Sequence, residues 1–292
     1  MLKLLYPLFF SSILIVGVAA ANFLTAANTA TVFRVQIDPL GSWNNVVPCN
    51  SPWVVRISDI TDNMTGTASF NNSLFSPGLT SPSPWNNPFH PKRWLTNGNG
   101  VINPPSGWST AFPSGNPGPA CTIRDQEGII VAGFVEIDGV GTSSMVYESD
   151  CLTISNGVPT FDGINGGSSV PVGHYCDDTV NIFDPALVPH YGATTSCLSP
   201  TDPTCYGQMH LEFDHDWMAA GYCGITTATC NNSTLAGLVQ PGSPSTLFDF
   251  QGFVYWDPEH VTSQTHSFSG WELHPLTAWR PHCTLPLAQC PP

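Results

Sequence analysis

The chain has 292 residues, among them 28 Pro, 26 Gly and ten Cys, with 10% charged side chains and a formal net charge of −14. Pro and Gly at this density disfavour long helices and favour short strands joined by turns. Only six basic residues follow Lys3, which argues against nucleic acid as a partner, because phosphate binding needs a basic surface.

Lys3, an apolar run from about Leu8 to Val18 and the small residues Ala19, Ala20 and Ala21 read as a secretory signal cleaved near Ala21. The run is shorter than the roughly 20 residues a spanning helix needs, and no later segment is apolar enough to span. Residues 1–21 are therefore expected to be a signal peptide and residues 22–292 a single secreted, extracellular β domain, with a possible split near 78–119. In that compartment Cys49, Cys121, Cys151, Cys176, Cys197, Cys205, Cys223, Cys230, Cys283 and Cys290 are expected to form disulfides rather than thiolate metal sites. The spacings Cys197/Cys205, Cys223/Cys230 and Cys283/Cys290 suggest local staples, although spacing alone does not fix connectivity. Asn63, Asn71, Asn231 and Asn232 each open a glycosylation sequon.

Thr29 to Gln36 and Trp53 to Ile57 read as the first two strands, bounded by Pro, Gly or Asn. From about Gly78 to Pro119 the chain is a long Pro/Gly/Asn/Ser loop. Trp85, Trp94 and Trp108 within it would either stack on sugar rings or pin the loop to a core. Gly128 to Tyr147 predicts a β-hairpin turning near Asp138-Gly139. Within it, GFVEID echoes GFVYWD at Gly252–Asp257. Pro159 to Pro203 reads as disulfide-stapled loops.

Between Arg124 and Arg280 there is no Lys or Arg, yet 18 of the 21 Asp and Glu and seven of the nine His fall there. A buried carboxylate in this stretch must find His, backbone N–H, a shared proton or a cation as its partner. In MHLEFDHDW, alternation sets Met209, Leu211 and Phe213 on one face and His210, Glu212 and Asp214 on the other, with Asp216 in phase if the strand persists. Ala219, Ala220 and Gly221 allow a helical turn thereafter. Phe248, Phe250 and Phe253 flank Gly252 in a buried strand, with Gly252 at a bulge or close backbone approach. That strand delivers Asp257, Glu259 and His260 to its end. After a Ser/Thr/Gln loop carrying His266, Trp271, Leu273 and Leu276 alternate with Glu272 and His274 until Pro275 limits pairing.

Three pieces could therefore converge: His210, Glu212 and Asp214; Asp257 and His260; Glu272 and His274. If the strands adjoin, their polar faces lie on one side of a sheet. There is no HExxH, EF-hand loop or GxSxG elbow. A His/carboxylate set suits Zn, Mn or Fe, and an oxygen-rich subset suits Ca. The expected assignment makes His210, Glu212, Asp214, His260 and His274 metal ligands and gives Glu272 and Asp257 catalytic roles.

The C-terminal segments GFVYWDPEH and GWELHPLTAW resemble a signature of otherwise uncharacterised secreted proteins with a W-E-[LI]-H-P ending. The resemblance covers about thirty residues and implies an OB-like barrel, with no activity attached. The expected fold is mainly β, a disulfide-stapled β-barrel or β-sandwich. The expected function is that of a secreted metal-dependent hydrolase that uses a divalent cation. The alternative is a non-catalytic module binding an extracellular glycan or cell-wall polymer.

Overall fold

A computed structural model describes residues 36–37, 41–45, 47, 52–61, 122–124, 130–148, 151–155, 158–161, 174–188, 197–199, 202–219, 221–239, 246–257, 260–286 and 289–290. These belong to one compact unit, Phe33–Pro292. In chain order the strands are β1 (Gln36–Ile37), β2 (Trp53–Val54), β3 (Thr122–Arg124), β4 (Ile130–Thr142), β5 (Val146–Tyr147), β6 (Leu152–Ser155), β7 (Val158–Phe161), β8 (His174–Tyr175), β9 (Asp178–Phe183), β10 (Gln208–Phe213), β11 (Phe248–Trp256) and β12 (Trp271–Pro281). Among the described residues three short helices join them: α1 (Ile57–Thr61), α2 (His215–Ala219) and α3 (Asn232–Leu238).

Strands β4, β11, β12, β10 and β9 pair in that order, and β9 returns to β4 to close a five-stranded barrel. Within the barrel all pairings are antiparallel except β10 with β12. Numbering only the barrel strands along the chain, the circuit runs 1-2-3-5-4-1, with α2 and α3 between the third and fourth. This is an OB-like Greek-key barrel. Strands β6, β7 and β8 form a separate small sheet.

Closure depends on β4, which reaches β11 along most of its length and β9 at Gly141–Thr142. The expected hairpin is absent: Asp138-Gly139 lies inside one 13-residue strand, and β5 pairs with β9. Phe248 and Phe250 of β11 oppose Val140 and Ile137, so one extra residue of β4 bulges there. Gly139 takes φ 65° and donates its N–H to Asp249 Oδ1 at 2.9 Å. A glycine at positive φ thus serves a bulge that coils the strand, where a turn would have ended it. The two GFVxxD segments are antiparallel partners, with Phe134 opposite Phe253 and ring centroids 5.2 Å apart.

Gly252 has the close approach its sequence context predicts. A Cβ there would lie 2.8 Å from the Pro275 carbonyl oxygen. Beside it the register jumps from Val254↔Leu273 to Gly252↔Leu276, a bulge on β12 at His274–Pro275. Pro275, expected to limit pairing, is instead accommodated at that bulge, and β12 runs on to Pro281. Trp53 begins a strand as read, but it lasts two residues before α1 starts at Ile57. Most of Thr29–Gln36, the Asn63 and Asn71 sequons, Cys49, Cys121, Glu259 and Trp85, Trp94 and Trp108 lie outside the described residues.

The stretch expected to be loops between Pro159 and Pro203 contains β9, a barrel strand buried at all six positions. Covered on both faces, it shows no polar alternation against water, and its Asp, Thr and Asn mimic loop composition. Disulfides Cys151–Cys176, Cys197–Cys205, Cys223–Cys230 and Cys283–Cys290 staple the surrounding loops, and no described cysteine is free. Among the described residues no helix is long and apolar enough to cross a membrane.

The apolar core joins Phe134, Leu211, Phe213, Trp217, Phe253, Trp271 and Leu273. Each such side chain contributes roughly 1.5–3 kcal/mol on full burial. Asp214 ends β10 by capping α2, accepting the Trp217 N–H at 2.8 Å, and the helix turns the Trp217 ring to within 6.1 Å of Phe253.

Candidate functional site

The parallel register aligns His210 with Glu272 and Leu211 with Leu273. Because side chains alternate, Leu211, Phe213 and Leu273 enter the core together, and His210, Glu212, Glu272 and His274 share the opposite face. Strand β9 adds Asn181, the register partner of His210, to that face. The cover is the loop after β11. It is closed at its base by the Asp257 N–H to Gly270 carbonyl bond of 2.6 Å. A 3-10 turn at Gln264–His266, followed by Ser267 and Phe268 at φ 55° and 53°, folds His266 back over Glu272.

The result is one chain of imidazoles and carboxylates. His210 Nδ1 lies 3.1 Å from Asn181 Oδ1, and its Nε2 lies 3.1 Å from Glu212 Oε1. Glu212 Oε2 is 2.6 Å from His274 Nδ1, while His274 Nε2 is 3.0 Å from Asp214 Oδ2. His274 Nδ1 is also 3.7 Å from Glu272 Oε2. On the other side Glu272 Oε1 lies 3.0 Å from His266 Nδ1 and 3.6 Å from His260 Nδ1, and His260 Nδ1 is 2.7 Å from Asp257 Oδ2. The His266 ring is 3.9 Å, centroid to centroid, from both His210 and His260. All these residues are buried except His260, whose side chain is 37% exposed and so opens the cluster to solvent.

Burial would push the Glu272 carboxyl up, but the adjacent imidazoles of His260, His266 and His274 outweigh it and hold it well below the usual carboxylate range. Asp214 follows the same balance and is also lowered, chiefly through His274. The hydrogen bond to Asp257 and then the nearby Glu272 carboxylate raise His260 to about 10. Burial lowers His266, and the neighbouring His210 and His260 add to that against the pull of Glu272. His266 is thus biased neutral, with its Nδ1 close to Glu272 but in no aligned hydrogen bond among the described residues. A neutral imidazole nitrogen and an ionised carboxylate oxygen converging in this way have the chemistry of ligands to a common cation.

Among the described residues three groups bring their ligand atoms within 4.8 Å of one another and could hold a metal ion: His260, His266 and Glu272; Glu212, Glu272 and His274; Glu148, His210 and Glu212. No family model, curated protein or solved structure matches the chain. The geometry of this cluster is therefore what any functional reading has to rest on.

All seven residues singled out from the sequence, His210, Glu212, Asp214, Asp257, His260, Glu272 and His274, lie in this one cluster. Asp214 stands behind His274 as the α2 cap, outside all three ligand groups. The backbone of Asp216 belongs to α2, so the strand does not persist to it. Sequence reasoning left out Asn181, on the unrecognised β9, and Glu148. It noted His266 only as a loop residue, although His266 six positions after His260, between Asp257 and Gly270, marks a loop that closes on itself. Arg280, the one cation at the end of the acidic stretch, pairs elsewhere, with Asp249 at 3.1 Å and Glu136 at 3.5 Å, and stacks 3.7 Å over Trp43.

Beside the cluster, Asp177 Oδ1 meets His215 Nδ1 at 2.7 Å, and burial raises this carboxyl to about 6. Asp178, on the core side of β9, accepts the Asn232 amide at 2.5 Å, and burial raises it to about 7. Asp178 Oδ1 and Asn232 Oδ1 each lack a hydrogen-bond partner among the described residues. Since Asn232 is buried with its amide engaged, its sequon is inaccessible to glycosylation in the folded chain.

Proposed function

We propose that the protein is a secreted, metal-dependent hydrolase whose cation is held by His260, His266 and Glu272. The observation that carries this reading is the convergence of two imidazole nitrogens and one ionised carboxylate where the half-exposed His260 opens the cluster to solvent. Two His and one carboxylate with an open position suit Zn²⁺ carrying a water, which the ion acidifies to a pKa of about 7. With a cation held there, Asp257, 2.7 Å from His260 Nδ1, would be the neighbouring carboxylate suited to act as general base. The acidic chain favours substrates without strong negative charge. Four disulfides among the described residues support an oxidising, extracellular setting.

The test is hydrolysis of chromogenic esters, glycosides and peptides by the purified secreted chain, before and after chelation. Activity abolished by 1,10-phenanthroline, restored by Zn²⁺ and lost in His266→Ala supports the assignment. Activity indifferent to chelation, or a chain that takes up no metal, refutes it.

A further inference from the structure

We infer that the centre is dinuclear, with Glu272 bridging the cation at the opening to a second, fully enclosed cation held by Glu212 and His274. This rests on the cation reading of the His260–His266–Glu272 group and extends it inward.

The two oxygens of Glu272 face different ligand sets. Oε1 is 3.0 and 3.6 Å from the His266 and His260 nitrogens, whereas Oε2 is 3.7 Å from His274 Nδ1. Glu212, Glu272 and His274 form a ligand group of their own, with every member buried. Behind it, His274 Nε2 lies 3.0 Å from Asp214 Oδ2, and Asp214 is itself fixed by the Trp217 N–H of α2. A carboxylate that accepts a hydrogen bond from Nε2–H orients the ring and leaves the Nδ1 lone pair for a metal, the usual arrangement behind a ligating histidine.

With Nε2 protonated, His274 Nδ1 faces Glu212 Oε2 at 2.6 Å. Two acceptors at that separation repel unless a positive centre lies between or beside them. That centre is either a proton, which makes His274 an imidazolium, or a metal ion. Charge favours the ion. Glu212, Asp214, Asp257 and Glu272 bring four carboxylates to a site that has no Lys or Arg among the described residues. With one dication at the opening, protons on His274 and the neighbouring imidazoles would have to offset the remaining two charges, whereas a second dication offsets them directly. A carboxylate bridge sets such a pair about 3.5–4 Å apart.

The experiment is a titration of the dialysed full-length secreted protein with Zn²⁺ by calorimetry and with Mn²⁺ by electron paramagnetic resonance. Two equivalents and an exchange-coupled Mn²⁺ pair spectrum are expected. Glu212→Gln should fall to one equivalent and lose the coupling, whereas His266→Ala should lose the cation at the opening. One equivalent in the unmodified chain, unchanged by Glu212→Gln, overturns the second site and leaves the mononuclear reading standing. Two equivalents with an uncoupled spectrum overturn the bridge, and no binding at all overturns both readings. The unmodified chain alone decides stoichiometry and coupling, so a misfolded variant does not blunt the test.

Discussion

Replacing Asp178 by Asn should stabilise the protein at neutral and alkaline pH while leaving it unchanged near pH 4. Burial raises this carboxyl from 3.8 to about 7. Between those values the folded chain keeps a proton that the unfolded chain has released, so stability falls as pH rises through the window and levels off above it. Roughly three units at about 1.4 kcal/mol each give a loss on the order of 4 kcal/mol. The unmatched oxygens identify what holds the proton. With Asp178 protonated, its hydroxyl can donate to Asn232 Oδ1 while Asn232 Nδ2 donates back to Asp178 Oδ2. An amide at position 178 reproduces both bonds without a charge to bury. Urea denaturation of Asp178→Asn and the unmodified chain at intervals from pH 4 to 8 should show a difference that opens progressively to several kcal/mol. A variant less stable at pH 8, or a difference that does not depend on pH, would refute the reasoning.

In the metal-free chain, His274→Ala should cost about 3–5 kcal/mol at pH 7 by urea denaturation, because Glu212 and Asp214 lose the ring between them; a loss under about 1 kcal/mol would contradict that role. Gly252→Ala should cost about 1–3 kcal/mol by thermal unfolding, since its Cβ meets the Pro275 carbonyl at 2.8 Å and Leu273 Cγ at 2.9 Å, and unchanged stability would remove the close-approach account. Replacing Cys151 and Cys176 together by Ala opens a link across 25 residues and should cost about 3–4 kcal/mol in equilibrium unfolding, with no cost counting against that staple as a source of stability.

Period-two alternation made the site's faces legible, because a strand whose apolar residues must enter the core has no freedom over where its polar ones point. Leu211 and Phe213 fixed His210 and Glu212 in this way, and Leu273 fixed Glu272 and His274. What alternation does not carry is which strands are neighbours. The parallel pairing of β10 with β12 is a long-range fact, and so is β9, whose Asp178-Thr179-Asn181 composition reads locally as loop. Gly139 shows the limit from the other side: an Asp-Gly pair needs positive φ, and a bulge satisfies that need as well as a turn. His266 was missed because its position depends on Ser267 and Phe268 in a left-handed conformation, which neither residue type advertises. Asp214 lay on the face alternation assigned it, yet its helix-capping role makes it a support for His274.

The most direct test of the cation site is diffraction at the zinc absorption edge from crystals of the secreted protein grown with Zn²⁺. The account predicts an anomalous peak about 2.0–2.2 Å from His260 Nδ1, His266 Nδ1 and Glu272 Oε1. A map without that peak, in which His260 Nδ1 still bonds Asp257 Oδ2, would contradict it.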